Sequence, residues 1–298
     1  MDKQIFWIAS YPKSGNTLLR AILTSLFFTE NGLFNFNLLK NIPIIESTIN
    51  LDFIKKININ DYNNLHKLEI LSKYWAKIQS KENLGLRSDF LFVKTHHALS
   101  KVFDKPFTSE SSTRGIIYIV RDPRDVVISY SHHFNTSLDK SINKLSNIKS
   151  ALDWEDNHKK FFNKRKPLSI LSSWDLNCES WMENSFSCPF LMVKYEDMIS
   201  NKLEIIKKII DFFVKNFNFQ FNNLDLKIKN IIKTIKFEFL KNEEDKHGFS
   251  EAVGRKFFRT GKANQWESFL NRREIMKIEK KFYLLMKKLD YKRIYYKN

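Results

Sequence analysis

Residues 4–10, 90–95, 115–120 and 190–194 form four short apolar runs, rich in β-branched and aromatic residues and almost free of polar alternation. A strand with one wet face alternates, so runs of this kind belong to strands buried on both faces, as in a parallel sheet covered by helices. Segments of helical period separate them. Residues 17–28 carry Leu18, Leu19, Ile22, Leu23 and Leu26, residues 123–134 follow the third run, and residues 203–213 repeat apolar pairs at Ile205/Ile206, Ile209/Ile210 and Phe212/Phe213. Asn201 and Glu204 are spaced as a capping box for that last helix. The alternation predicts a doubly wound α/β fold: a central, mostly parallel β-sheet flanked by helices.

With 298 residues, 43% of them hydrophobic, the chain can bury one large core, and one domain is expected over residues 1–298. Segments 31–89 and 136–174 are polar, Lys/Asn-rich and interrupted, with helical patches such as LHKLEILSKYWAKI at 65–78. They read as insertions over one face of the sheet, at a substrate pocket.

The formal charge of +17 favours acidic partners, but the lysines are scattered and accompany an excess of Ile, Asn and Phe, so no nucleic-acid partner is expected. Two cysteines, Cys178 and Cys188, imply no disulfide framework and suit a reducing compartment. The first core strand begins at once, leaving no room for a signal peptide, and no apolar run reaches the roughly 18 residues of a membrane span. A soluble, cytoplasmic protein is the expectation.

The stretch FWIASYPKSGNTLLRAIL, residues 6–23, puts Lys13, Ser14, Gly15, Asn16 and Thr17 at the bend between the first strand and the first helix. There the free helix amides and the helix dipole face an anion, and a glycine admits close backbone approach. The nucleotide-kinase loop G-x-x-x-x-G-K-[ST] is absent, its nearest fragment being Gly261-Lys262. The same residues also suit a plain turn capped by Ser14. A second stretch, GIIYIVRDPRDVVISYSHHF, sets Arg121 at a strand end, an Asp-Pro turn, and Ser129 in the second turn of a helix. Arginine grips phosphate in two-pronged fashion and a hydroxyl adds a bond. The alternative leaves Asp122 as a helix cap and Arg121 in a structural ion pair.

Together these stretches resemble the sulfotransferases that use 3′-phosphoadenosine 5′-phosphosulfate (PAPS). The family's first signature, approximately YPKSGTTW, stands here as Tyr11 to Leu18 with Asn16 and Leu18 replacing Thr and Trp. Its Arg with a Ser eight residues later is Arg121 and Ser129, its Lys-Thr-His is Lys94-Thr95-His96, and its Tyr-Glu-Asp is Tyr195-Glu196-Asp197. A C-terminal signature near RKGxxGDWK becomes RTGKANQW, where Arg259, Gly261 and Trp266 are kept while Thr260, Asn264 and Gln265 depart. That departure weakens one part of the expected 3′-phosphate grip, for which Lys256 or Lys262 is a candidate substitute. SSWDLNCESWME resembles a family segment with two tryptophans.

The resemblance implies a P-loop-like strand–loop–helix and transfer of the PAPS sulfuryl group to a hydroxyl or amine, releasing adenosine 3′,5′-bisphosphate (PAP). His96 would be the general base, Lys13 would neutralise the departing 5′-phosphate, and Lys94 would stabilise the transferring group. Ser14, Gly15, Asn16 and Thr17 would hold the 5′-phosphate, with Arg121, Ser129, Arg259 and Gly261 on the 3′-phosphate. Tyr195 would lie near the adenine, and Leu18 and Thr260 occupy the remaining cofactor-contacting positions of the signatures. Neighbouring residues at a strand end face opposite ways, so His97 should point away from the site. His132-His133 has no companion ligands at useful spacing, so no metal is expected. The rival readings are a P-loop-type kinase and a non-enzymatic nucleotide- or polyanion-binding protein. The acceptor has no interpretable motif, and no family dimer motif is apparent after Trp266, which leaves the oligomeric state open.

Overall fold

A computed structural model describes residues 3–49, 53, 71–84, 89–152, 169–252 and 255–296. The four apolar runs are strands β1 (Ile5–Ser10), β2 (Leu91–Thr95), β3 (Thr113–Val120) and β4 (Phe190–Lys194). They form one parallel sheet in the order β2-β1-β3-β4. Register pairs Ala9 with Thr95, Ser10 with Ile119 and Val120 with Lys194, so all four strands end at one edge. Each is followed there by a segment singled out in the sequence: Lys13 to Thr17, His96, Arg121 and Tyr195.

The pleat divides β1 between two cores. Ile5, Trp7 and Ala9 pack with Tyr118, Trp174 and Trp181 on one face. Phe6 and Ile8 pack with Leu19, Ile22, Ile206 and Phe213 on the other. Because every residue of β1 is buried, the run needs no polar alternation. The principal helices in chain order are α1 (Asn16–Phe28), α2 (Pro123–His133), α3 (Leu138–Ser146), α4 (Trp174–Met182), α5 (Tyr195–Ser200), α6 (Lys202–Phe217), α7 (Leu224–Thr234), α8 (Phe237–His247) and α9 (Arg272–Lys281). The result is the expected parallel sheet flanked by helices.

One local expectation is corrected. Asn201 precedes α6 but makes no side-chain cap, and Glu204 instead lies 3.5 Å from Lys207 at the surface. Among the described residues a capping box forms instead between Asn271 and Glu274, at the start of α9. Of the patch at 65–78, residues 65–70 lie outside the described residues, as do 50–52, 54–64, 85–88 and 153–168 of the two expected insertions. Residues Trp75–Ile78 are helical. Both cysteines are free thiols.

Candidate active site

The bend after β1 is built by two left-handed residues. Lys13 has φ 70° and Gly15 φ 102°, which turns successive amides toward one side. At Gly15 a Cβ would meet Tyr195 Cδ2 at 2.5 Å, so only glycine lets the first turn of α1 approach that ring. Gly15 is the N-cap and offers no side chain, leaving the first amides of α1 to an incoming anion. Ser14 Oγ is buried with no partner among the described residues, so the plain-turn reading, with Ser14 as cap, is not what forms. Asn16 turns its Nδ2 inward, to the Ile8 carbonyl at 3.1 Å and Ser10 Oγ at 3.1 Å, and since its unpartnered Oδ1 can only accept, its one donor left for an anion is the backbone amide.

A cavity of about 1160 Å³ opens at this edge of the sheet. It is lined by Lys13, Gly15, Asn16, Thr17 and Leu18 from the bend, Lys94 and His96 from the end of β2, and Arg121 and Ser129 from the β3–α2 segment. Tyr195, Arg259, Thr260 and Gly261 complete the candidate set. The sequence therefore brought every candidate except Ser14 to one cavity wall, and Ser14 lies directly behind it.

His96 Nδ1 lies 2.8 Å from the Ser10 carbonyl, which accepts only from a protonated nitrogen, so Nε2 is the basic one. Burial first, and Lys94 next, pull His96 down to about 3, and the ring is neutral through the physiological range. The turn that aims it is held from both sides. One oxygen of Glu46 accepts from Thr95 Oγ1 at 2.6 Å, His96 N at 3.0 Å and His97 N at 3.3 Å. From the other side, Asn177 Nδ2 donates to the His96 carbonyl at 3.1 Å and Trp181 Nε1 to the His97 carbonyl at 2.9 Å. Both belong to α4, the segment with two tryptophans. His97 faces away and stacks on Phe107 at 4.2 Å, with Trp75 edge-on. His132 and His133 close the last turn of α2, and His133 lines the cavity rim.

Burial, opposed by Glu251 and reinforced by Lys94 and Arg121, lowers Lys13 to about 7. Its ammonium sits 4.1 Å over the Phe257 ring. Lys94 is likewise lowered by burial, with Glu251 opposing. At the other end, Arg121 lies 4.1 Å over the Tyr195 ring and reaches Asp125 at 3.3 Å. Its structural ion pair thus coexists with a cavity-facing position, and its Nε has no partner among the described residues. Asp122 caps α2 by accepting from Arg124 N, as the alternative reading had it.

The divergent C-terminal signature is rewired. Gln265 Oε1 accepts from Arg259 and from Thr260 Oγ1, a neutral acceptor joining two residues of the grip. Gly261, with φ 61°, is required by Phe237, whose ring would stand 2.2 Å from a Cβ. Lys256 is engaged with Asp245 at the surface, and Lys262 contributes its carbonyl to Arg121. Sequence reasoning missed Glu46, Arg20 and Glu251, whose side-chain partners lie between 19 and 234 residues away and follow no spacing rule.

Comparison with known proteins agrees with this geometry. The model of the sulfotransferase domain matches residues 3–290. The flavonol 3-sulfotransferase of Flaveria bidentis is 27% identical over 295 residues, covering 92% of this chain and 79% of its own. Among solved structures, mouse sulfotransferase SULT7A1 complexed with PAP superposes with a TM-score of 0.59 at 18% identity, covering 97% of this chain and 86% of its own. Retinol dehydratase in a complex with retinol and PAP gives 0.58 at 20% identity, with coverage of 96% and 82%. Such low identity speaks for the fold, while the domain match over nearly the whole length speaks for descent and sets the kinase reading aside. This chain belongs to the sulfotransferase family.

Proposed function

We propose that this chain transfers the sulfuryl group of PAPS to a hydroxyl or amine acceptor and releases PAP. The observation that supports it most is His96, whose tautomer is fixed by Ser10 so that a neutral Nε2 is free to take a proton beside two lysines. As the acceptor atom bonds to sulfur, the bond from sulfur to the 5′-phosphate oxygen breaks. The acceptor's proton passes to His96 Nε2, and the electron pair of the broken bond remains on the phosphate, where Lys13 meets it. Lys94 stabilises the group in transit.

Ser14, Gly15, Asn16 and Thr17 hold the 5′-phosphate, Asn16 through its backbone alone. Arg121, Ser129, Arg259 and Gly261 serve the 3′-phosphate, with Leu18, Thr260 and Tyr195 against the nucleoside. The fit to such a ligand rests on the buried, unpartnered Ser14 Oγ and Arg121 Nε, which leave donors unspent at each anion position. PAP in both solved relatives favours the same cosubstrate. The flavonol named by the plant relative favours a hydroxyl acceptor.

The chain is read as one domain in which segments 31–89 and 136–174 shape the acceptor pocket; residues between 35 and 44 line the cavity and support this for the first segment, while none of the described residues of 136–174 lines it. Transfer needs no metal, since the cations are side chains, and the free thiols suit a cytoplasmic protein. Among the described residues no helix is long and apolar enough to cross a membrane. Incubation with labelled PAPS and a panel of phenols, alcohols, amines and glycans tests the reading: label should move to one acceptor class, and transfer to none of them counts against it.

A further inference from the structure

We propose that Arg20 is a third cation of the transferring-group site, and that the Glu251 carboxylate is an internal anion seated on Thr17, Arg20 and Lys94 until the sulfuryl group displaces it. The inference rests on the reading above, because Thr17 and Lys94 are two of the residues that reading gives to the phosphosulfate.

Arg20 follows Thr17 by three residues on α1, so the two share a helix face. It is 3% exposed and yet lines the cavity. Its NH2 donates to the carbonyls of Leu39 at 3.0 Å and Ile42 at 3.2 Å, which fix the guanidinium plane. Its NH1 donates to Glu251 Oε1 at 2.5 Å, while Nε has no partner among the described residues. The other carboxylate oxygen, Oε2, accepts from Thr17 Oγ1 at 3.1 Å and lies 3.5 Å from Lys94 Nζ. Burial works against the charge of Glu251, but Lys94 and Arg20 hold it well below the usual carboxylate range.

One carboxylate thus takes donors from the helix bend, from α1 and from the end of β2, as a sulfuryl oxyanion at the same place would. Two anions cannot share these donors, since each would face the other's charge at short range among buried groups. PAPS must therefore displace the carboxylate from Arg20 and Lys94, whereas PAP, which lacks the sulfuryl group, competes with it only for the Thr17 hydroxyl. Arg20 then offers the sulfuryl group the NH1 donor that holds Glu251, with its unpartnered Nε as a second donor.

The test is binding of PAPS, without acceptor, and of PAP to the full chain and to two variants. Glu251→Gln should bind PAPS more tightly, on the order of tenfold, the value of about one charge-assisted hydrogen bond, with a clearly smaller change in PAP affinity, both read at about pH 6.5, where losing the Glu251 charge costs Lys13 least. The double variant Arg20→Gln/Glu251→Gln removes both charges together and guards against a buried unpaired ion. It should retain PAP affinity but lose at least about tenfold in turnover, for want of a cation in the transition state. Unchanged or weaker PAPS binding by Glu251→Gln, or turnover by the double variant within twofold of the parent, overturns the inference. A parent protein that binds neither PAPS nor PAP overturns the underlying reading instead.

Discussion

If the proposed site holds PAP as assigned, Lys13 makes that binding a proton-linked event whose size follows from its surroundings. In the free protein, burial under Phe257 and the nearby charges of Lys94 and Arg121 outweigh Glu251 and Glu244 and bring Lys13 to about 7. A bound 5′-phosphate adds negative charge at the ammonium and raises its pKa, so the charged form binds better. The sign follows: affinity is full below pH 7 and falls as pH rises above it, because binding must then protonate the amine. Each unit above that value costs about tenfold, about 1.4 kcal/mol, and at pH 8.5 the loss is about 30-fold if the bound-state pKa lies higher still. Titration calorimetry from pH 7 to 9 avoids the phosphate's own second ionisation near 6. Measured in buffers of different ionisation enthalpy, it should also register net proton uptake on binding at pH 8. Lys13→Met should bind more weakly at pH 7 and lose most of the slope. Lys94, also lowered by burial, contributes whatever slope remains in that variant. Affinity of the parent that stays flat from pH 7 to 9 would refute the reasoning, as would an unchanged slope in Lys13→Met.

Arg121→Ala should weaken PAP binding by about 1.5–3 kcal/mol, the range for hydrogen bonds to a charged group, and binding isotherms at fixed salt check this. Gly15→Ala forces a side chain to φ 102° and against the Tyr195 ring, so its melting temperature and PAP affinity should both fall, with roughly 1–2 kcal/mol from the backbone alone. EDTA should leave turnover unchanged; activity lost to chelation and restored by Mg²⁺ contradicts a site that uses side-chain cations throughout.

The fold was legible because its signal is chemical and local. Runs with no polar alternation became β1 to β4, and each strand end carries a motif because parallel strands must end at one edge. Individual side chains were less so. The Asn201/Glu204 spacing fits a capping box, yet Asn201 makes no side-chain cap there, and the box formed at Asn271 instead. Asn16, aligned with a ligand position, spends its amide on the end of β1. Glu46 and Glu251 hold the Lys94–His96 segment from opposite sides, Glu46 through the Thr95 hydroxyl and two amides and Glu251 through the Lys94 ammonium. Glu46 arrives from the short helical segment Ile45–Ile49 and Glu251 from a turn, and tertiary packing decides where each lands. The Thr260 and Gln265 departures were visible in the sequence, but not that they would bond to each other.

His96 as the base, in a role separate from cofactor binding, is open to direct measurement. The direct measurement is steady-state sulfuryl transfer by the parent, His96→Ala and His97→Ala, each paired with a PAP binding isotherm. His96→Ala should lose roughly 10²–10⁴-fold in turnover with PAP affinity nearly intact. His97→Ala removes the stack on Phe107 and should be less stable, but should keep turnover within a few-fold of the parent. Turnover by His96→Ala within a few-fold of the parent, or a larger loss at His97, contradicts the claim.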